Sequence, residues 1–477
     1  MVRLKATLLW ITAGIMGLYI LYALIFGLYL FRFQPITVMT NEQERLLEES
    51  NHEESQDRVV LVEEREEAFL ARIHLIQQAQ NSLDIAYHTI HEGTASDLFF
   101  TSIVDAANRG VQVRLILDGI LHHLRGNNKD IIYAFAAHPN IEIKFYEPFD
   151  ALRPWTWNNR LHDKIMIVDQ EMAMIGGRNI GDSYFAPEGY EGAKYDRDVV
   201  ILNTLPEMIE ESVISEIKDY YELVWNHDYT KKAIRSVTKK QKHRGEKRLI
   251  ELKQVKNKYT NVFQKEYNWI DQSVPTTGIT FHHNPIERFH KEPIVWETIK
   301  GLMNQAENSI YIQSPYIIPK NNMINYGEIR NLSATNMIIL TNSLAATPNV
   351  LAYSGYMQHR KKFAHSDFLL YEYQSTTESL HTKTYIFDSR ISVVGSFNLD
   401  SRSAYLSTES VVIIDSKEFA DLLESNIDCK IEKDSLLVAG DGAYVEDPTI
   451  EPSKVSFFKR GLTTVLNRVT RHFQYLL

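Results

Sequence analysis

Leu161-His162-Asp163-Lys164-Ile165-Met166-Ile167-Val168-Asp169 returns in form, far down the chain, as Leu380-His381-Thr382-Lys383-Thr384-Tyr385-Ile386-Phe387-Asp388. Both stretches read His-x-Lys-x4-Asp, and after six intervening residues both are followed by Gly-[Gly/Ser]-x-Asn. These are Gly176, Gly177 and Asn179 in the first copy, and Gly395, Ser396 and Asn398 in the second. Free of Gly and Pro and rich in Ile, Val, Phe and Tyr, the segments 161–168 and 380–387 predict strands. Side chains alternate faces along a strand, so His162 and Lys164 point to one side, as do His381 and Lys383. An imidazole and an ammonium then converge on one anion. Asp169 and Asp388 complete the candidate catalytic set. Each lies seven residues beyond its His, on the opposite parity, and is expected to anchor the strand end or a neighbouring basic group rather than touch substrate. The small residues after them let backbone approach a ligand, and Asn179 and Asn398 are candidate phosphate-binding amides. Two copies with identical offsets point to one phosphoryl-transfer site built from two halves.

The repeat extends well beyond the motifs. Ala79-Gln80-Asn81-Ser82-Leu83-Asp84-Ile85 echoes Ala306-Glu307-Asn308-Ser309-Ile310-Tyr311-Ile312, segment 111–118 echoes 336–342, and Lys144-Phe145-Tyr146-Glu147 echoes Leu369-Leu370-Tyr371-Glu372. Helix-period stretches alternate with short apolar runs, the pattern of an α/β fold with helices covering mixed or parallel sheets. A chain of 477 residues suits two such lobes.

The ends and the middle carry a different message. Positions 6–31 hold no charged residue, and 26 residues exceed the roughly 20 needed to cross a bilayer as a helix. A cleaved signal would have a shorter apolar region and a small-residue cleavage site. The expected organisation is a membrane anchor (1–35), an acidic stalk (36–61), a first lobe (62–229), a basic inter-lobe segment (230–270), a second lobe (271–450) and a basic amphipathic C-terminal helix (451–477). Arg3 and Lys5 set against Arg32 and Arg45 favour the N-terminus inside and the lobes outside. From 41 to 67 eleven acidic residues face three basic ones, whereas from 231 to 258 twelve Lys or Arg face two Glu. The basic run suits either anionic headgroups or a solvated linker. Phe457, Phe458, Leu462, Val465, Leu466, Val469 and Phe473 recur at helical spacing with Lys459, Arg460, Arg468 and Arg471 between them, predicting an interfacial helix. A net charge of −10 argues against nucleic acid as the partner, and the single cysteine, Cys429, excludes an intramolecular disulfide or a zinc–cysteine cluster.

The double motif resembles the phospholipase D superfamily. Its surroundings are similar to bacterial cardiolipin synthases, in particular type C: Gly-Gly-Arg-Asn-Ile-Gly-Asp-Ser-Tyr-Phe from Gly176, Leu-Thr-Asn-Ser-Leu-Ala-Ala-Thr from Leu340, Tyr353-Ser354-Gly355-Tyr356, and Gly-Ser-Phe-Asn-Leu-Asp-Ser-Arg-Ser from Gly395. The resemblance implies a duplicated sandwich of two pseudo-twofold-related lobes meeting at one active site. It implies an imidazole attacked to give a phosphohistidine, with His162 as nucleophile and His381 as acid and base, although the symmetry of the repeat leaves their order open. Lys164, Lys383, Asn179 and Asn398 would neutralise the phosphate oxygens, and the scheme needs no metal or other cofactor. Glu409, Asp196 or Asp198 would orient a catalytic imidazole, Glu409 near the second motif and the aspartates in the first half. Arg178, where the second copy has Phe397, would bind an additional phosphate. The implied activity is phosphatidyl transfer to phosphatidylglycerol, releasing glycerol or ethanolamine, the latter from phosphatidylethanolamine, at a bacterial inner membrane. Nothing in the chain identifies a protein partner. A hydrolase with the same site, a superfamily nuclease and a non-enzymatic scaffold are the competing readings. Both motifs being complete speaks against the scaffold, and the anchor against the nuclease.

Overall fold

A computed structural model describes residues 2–33, 54–187, 189–289, 291–320, 323–329 and 332–477. Most of the acidic stalk falls outside them, and its last residues, from Asp57, already belong to the first sheet.

Two eight-stranded mixed sheets repeat one topology. The first runs in the order β1 (Asp57–Val62), β9 (Asp198–Asn203), β7 (Met172–Gly176), β6 (Lys164–Val168), β2 (Ser82–Tyr87), β3 (Gln112–Asp118), β4 (Ile141–Tyr146), β10 (Thr230–Lys232). The second matches it strand for strand: β11 (Gly278–His283), β21 (Ser410–Asp415), β18 (Ile391–Gly395), β17 (Thr384–Phe387), β12 (Ser309–Gln313), β14 (Asn336–Asn342), β15 (Leu369–Tyr373), β22 (Ser435–Leu437). In each sheet three neighbouring strands are parallel, β2-β3-β4 and β12-β14-β15. Right-handed crossovers need covering helices, and the helical stretches predicted between the strands supply them.

Ten helices of nine or more residues occur among the described residues: α1 (Val2–Gly27), α2 (Arg65–Gln78), α3 (Thr94–Asn108), α4 (Lys129–Ala137), α5 (Val213–Asn226), α6 (Lys239–Lys258), α7 (Ile294–Gln305), α8 (Val350–Ala364), α9 (Lys417–Asp434) and α10 (Phe457–Thr470). Strand alternation sends residues to different cores. Ile165 and Ile167 of β6 join Ile386 of β17 in a core shared by the facing sheets, with α5 and α9, whereas Met166 and Val168 join the core under α2, α3 and α4. Residues of α7 and α8 cover the other face of the second sheet. The sandwich is therefore one hydrophobic unit across both repeats, not two lobes that merely touch.

The basic segment 230–270 is built into the first lobe. β10 pairs with β4, and α6 packs on α3 and α4 so closely that a Cβ at Gly245 would meet the Ala134 nitrogen at 2.7 Å. Three of its cations pair with acids of that lobe, Arg248 with Asp97, Arg244 with Asp130 and Lys256 with Asp105, while Lys239, Lys240 and Lys242 are exposed.

Helix α1 is 26 residues long and exposed over almost all its length, and it is the one helix among the described residues long and apolar enough to cross a membrane. Its end is tied to the catalytic sandwich, since Tyr19 and Tyr22 donate to the carbonyls of Ala151 and Leu152 (2.9 and 2.7 Å) and Asn158 donates to that of Gly27 (2.6 Å). Helix α10 lies on α8 through Thr463 and Thr470, which are buried, while Phe457, Phe458, Val465 and Val469 face outward at 92, 77, 62 and 50 % exposure. The packed face is polar and the free face is apolar, the reverse of a surface helix of a soluble protein.

Candidate active site

The predicted strands 161–168 and 380–387 are each interrupted at the histidine. Arg160–Leu161 (β5) pairs with Ser407–Thr408 (β20) of the other half, and Glu378–Leu380 (β16) pairs with Ala193–Tyr195 (β8). Only from Lys164 and Thr384 onward does the chain rejoin its own sheet. Each histidine sits where the strand changes partner, and that exchange decides which carboxylate it meets.

Crossed pairing is the result. Immediately after β20 comes Glu409, and its Oε2 lies 2.9 Å from His162 Nδ1. Immediately after β8 comes Asp196, and its Oδ2 lies 2.5 Å from His381 Nδ1. Each imidazole thus takes its orienting carboxylate from the opposite repeat. The Nδ1 proton points at the carboxylate, which leaves Nε2 for chemistry. Lys383 Nζ is 2.7 Å from the same His381 nitrogen, but that proton goes to Asp196, so the ammonium makes a close contact there rather than a second hydrogen bond. Of the carboxylates offered by the sequence, Glu409 meets the histidine of the first motif and Asp196 that of the second, each across the repeat.

The [Gly/Ser] position of the second motif explains itself beside these acids. A Cβ at Gly177 would fall 2.1 Å from Asp196 Oδ1, so only Gly lets that carboxylate in, while at the equivalent place the Ser396 hydroxyl donates to Glu409. Asp163, buried between the motif residues, accepts from Tyr220 and from the Thr408 hydroxyl, which itself accepts the His162 amide. Arg197 clamps the two repeats together: it donates twice to Glu63 (2.7 and 2.6 Å) and to Gln313 and Thr384 of the second sheet (2.9 and 2.7 Å).

Lys164 and Lys383 are almost wholly buried and each donates to its own histidine's carbonyl. Burial pushes Lys164 down to about 7 and Lys383 down to about 8, against the pull of Glu409 and Asp196 respectively. Burial, and then the neighbouring ammonium groups, holds both imidazoles well below their usual value, His381 at about 3. Glu409 is pushed up to about 8 by burial despite Lys164, whereas Lys383 and His381 overcome burial and hold Asp196 far below the carboxylate range. Burial is the first cause that lowers both lysines and both imidazoles, so an anionic ligand entering the site would raise each of them and favour their charged forms.

Asn179 and Asn398 flank the centre, each with a buried Oδ1 that has no hydrogen-bond partner among the described residues. The Asn179 amide nitrogen meets the Tyr184 hydroxyl at 3.1 Å. Asp169 and Asp388 lie past the far ends of β6 and β17. Each is left-handed (φ 52° and 53°), and their carboxylates accept the backbone N–H groups of Gln80, Asn81 and Ser82, and of Glu307, Asn308 and Ser309. They fix the strand entering the site and stand seven residues along the chain from the imidazoles, at the other end of the motif strand. Arg178 is a correction. It is fully buried, bound to Asp198 (2.9 Å) and the carbonyls of Val62 and Glu63, and cannot reach a phosphate in the site. Asp198 pairs with Arg178 and Arg72 rather than with a histidine. Among the described residues no group of His, Cys, Asp and Glu could hold a metal ion.

A cavity of about 550 Å³ opens beside His162. Its floor is polar, with His162, Asn398 and Arg402, and its wall is apolar, with Leu121, Phe149 and Ile318. The loop that carries Phe149 is the one that receives the end of α1.

Residues 72–221 and 299–430 match the sequence family described as "Cardiolipin synthase, PLD-like domain". The chain belongs to this family. It is a phosphatidyltransferase of the phospholipase D superfamily. It is 30% identical over 413 residues to an uncharacterized protein of Helicobacter pylori strain ATCC 700392 / 26695, spanning 79% of each chain. It is 28% identical over 404 residues to cardiolipin synthase C of Escherichia coli K12, covering 75% of this chain and 81% of that one. The fold is that of a crystal structure of phosphatidylserine synthase from Haemophilus influenzae Rd KW20, with a TM-score of 0.62 at 16% identity, over 92% of this chain and all of the other.

Proposed function

We propose that this phosphatidyltransferase is a cardiolipin synthase, moving a phosphatidyl group from one phospholipid onto the glycerol headgroup of phosphatidylglycerol through a phosphohistidine. The observation that carries the reading is the crossed pair of oriented imidazoles. Glu409 holds His162, Asp196 holds His381, and Lys164, Lys383, Asn179 and Asn398 surround the space between.

His162 Nε2 attacks phosphorus. The P–N bond forms as the P–O bond to the departing headgroup breaks, and His381 gives the leaving oxygen its Nε2 proton. The bound phosphodiester anion is what allows His381 to carry that proton in a site that otherwise disfavours it. His381 then removes the proton from the acceptor hydroxyl, whose oxygen takes the phosphoryl group and frees His162. Lys164, Lys383 and the two amides neutralise the oxygens that carry the growing charge. The apolar wall beside His162 suits the diacylglycerol portion of the covalently held phosphatidyl group, and the released alcohol is glycerol or ethanolamine. Helix α1 as anchor and α10 as an interfacial helix, its aromatic face turned outward and Arg460, Arg468 and Arg471 beside it, keep the site at the lipid surface, with the lobes on the outer side of the inner membrane.

Purified protein in vesicles of phosphatidylglycerol and phosphatidylethanolamine tests this. Cardiolipin formation, lost in His162→Ala, supports it; phosphatidic acid alone would make the protein a hydrolase and overturn it.

A further inference from the structure

The pseudo-twofold axis that relates the two halves is broken in one place. His381 meets the Tyr184 ring edge-to-face at 5.5 Å between centroids. The Tyr184 oxygen lies 3.1 Å from Lys194 Nζ, and the same ammonium lies 4.4 Å from the ring centroid. His91 stacks on Tyr184 (6.4 Å), and His123 lies against His91 (4.9 Å). Room for His91 exists because residue 181 is Gly, where a Cβ would stand 2.9 Å from the His91 side chain.

The equivalent positions in the other half can be read from the shared pairings. The parallel bridge Ile90–Ile180 corresponds to Ile317–Leu399, so His91 corresponds to Ile318 and Gly181 to Asp400. Gly176 pairs with Asp198 as Gly395 pairs with Val411, so Asp196 corresponds to Glu409 and Lys194 to Ser407. Tyr184 corresponds to Ser403 by the motif offset. Beside His162 these places hold no basic residue, and Ile318 and Ser407 line the largely apolar cavity there. Beside His381 the same places hold a cationic and aromatic cluster.

That cluster has no anion of its own. Lys194 makes no ion pair among the described residues, and one hydrogen bond uses one of the three N–H groups of an ammonium. Burial first, then Lys194 and His123, pushes His91 down to about 4, and burial followed by Arg125 also lowers His123, so Lys194 is the cation of the cluster and the two imidazoles are neutral. Of the acids near these residues in the chain, Asp196 is bound to His381, Asp182 accepts the amides of Thr94 and Ala95 at the start of α3, and Glu92 accepts from Asn127. His123 takes φ 57°, a conformation few residues other than Gly adopt, in the loop that brings it to His91. An ammonium with no ion pair among the described residues, beside two imidazoles that burial keeps neutral and able to donate N–H groups, offers donors to an anion at the edge of the reaction centre.

We propose that Lys194, His91 and His123 form a subsite for a phosphodiester anion carried by the acceptor lipid, on the His381 side of the centre. This rests on the phosphatidyl-transfer reading and deepens it. The acceptor hydroxyl must approach His381, and in phosphatidylglycerol the glycerol bearing that hydroxyl is esterified to a phosphate of its own. Water and free glycerol carry no such charge. The subsite is therefore what separates transfer onto an anionic lipid from transfer onto a neutral alcohol.

Full-length protein in mixed micelles, with phosphatidylethanolamine as donor, is offered phosphatidylglycerol and labelled glycerol together. The first acceptor yields cardiolipin and the second yields labelled phosphatidylglycerol. Lys194→Gln is expected to lower the cardiolipin-to-phosphatidylglycerol product ratio by about tenfold, the worth of one charge-assisted hydrogen bond, and Lys194→Arg to restore most of it. Inorganic phosphate, added in rising concentration, is expected to compete with phosphatidylglycerol in the wild type and less in Lys194→Gln, which separates a general phosphate site from one that needs the whole lipid. An unchanged ratio, or both products falling together, overturns the subsite. If Lys194→Gln does not fold, His91→Gln is read by the same ratio and decides. A wild type that makes no cardiolipin overturns instead the parent reading.

Discussion

Replacing Asp196 by Asn keeps the volume of the side chain and removes one charge, and the consequences follow from two distances. Asp196 Oδ2 stands 2.5 Å from His381 Nδ1 and 3.8 Å from Lys383 Nζ, and the carboxylate has no exposed surface. At 3.8 Å the attraction between unit charges is about 4 kcal/mol at an effective dielectric constant of 20. Without it the Lys383 ammonium, already down at about 8, is pushed lower and is charged only in more acidic solution. The amide also offers two faces to Nδ1, and the one that donates selects the wrong tautomer of His381. Positioned acid–base catalysis contributes about 10²–10⁴-fold, so the rate of transfer should fall by about a thousandfold, or about 4 kcal/mol in the barrier. The pH optimum should move down with Lys383. The assay is initial-rate cardiolipin formation across pH, with circular dichroism confirming the fold. A loss below about fivefold, or an unmoved optimum, would refute the assigned role of the crossed carboxylate.

Arg197→Met removes the clamp between the repeats and strands buried Glu63, so unfolding free energy should drop by about 3–5 kcal/mol in a denaturant titration. Ser substitution at both Phe457 and Phe458, which touch little of the protein, should leave thermal stability within a degree or two of wild type while weakening flotation with anionic vesicles. Acid should destabilise the fold through its buried histidines. His91, His122, His282 and His359 are each held by burial at about 4, below the unfolded value, so their stabilisation is complete above the ordinary imidazole value of about 6.5 and is lost as pH falls from there towards 4. Melting temperature measured at intervals over that range should fall; a flat profile would mean these rings protonate without cost.

The duplicated sheet was legible because each motif strand carries its own parity signal, and the offsets of Asn179 and Asn398 from their histidines agree. Asp169 and Asp388 were rightly expected at strand ends, since parity alone turned them from the site. The exchange of strands between halves was not legible. Leu161 and Leu380 read as ordinary members of continuous strands, and nothing local shows that they pair with Thr408 and Tyr195 across the repeat. The signal that existed was positional: Asp196 and Glu409 each stand two residues before the residue, Asp198 or Val411, that pairs with the Gly after the motif strand. Arg178 misled because a cation beside a phosphate motif resembles a ligand, whereas its partner Asp198 lies twenty residues on, in the neighbouring strand. The packing of α6 was not legible for a related reason, since the acids on α3 and α4 that three of its cations meet are distant in sequence.

The most direct test of the central claim is a trapping experiment on His381→Asn, supplied with a donor phospholipid labelled in its phosphate. With the acid and base removed, attack by His162 on a donor with a good leaving group should still proceed, and release to the acceptor should stall. The account predicts acid-labile label on the protein, mapped to the peptide containing His162 and absent from the His162→Ala, His381→Asn double variant. Label that survives loss of His162, or substrate turnover in that double variant, would contradict it.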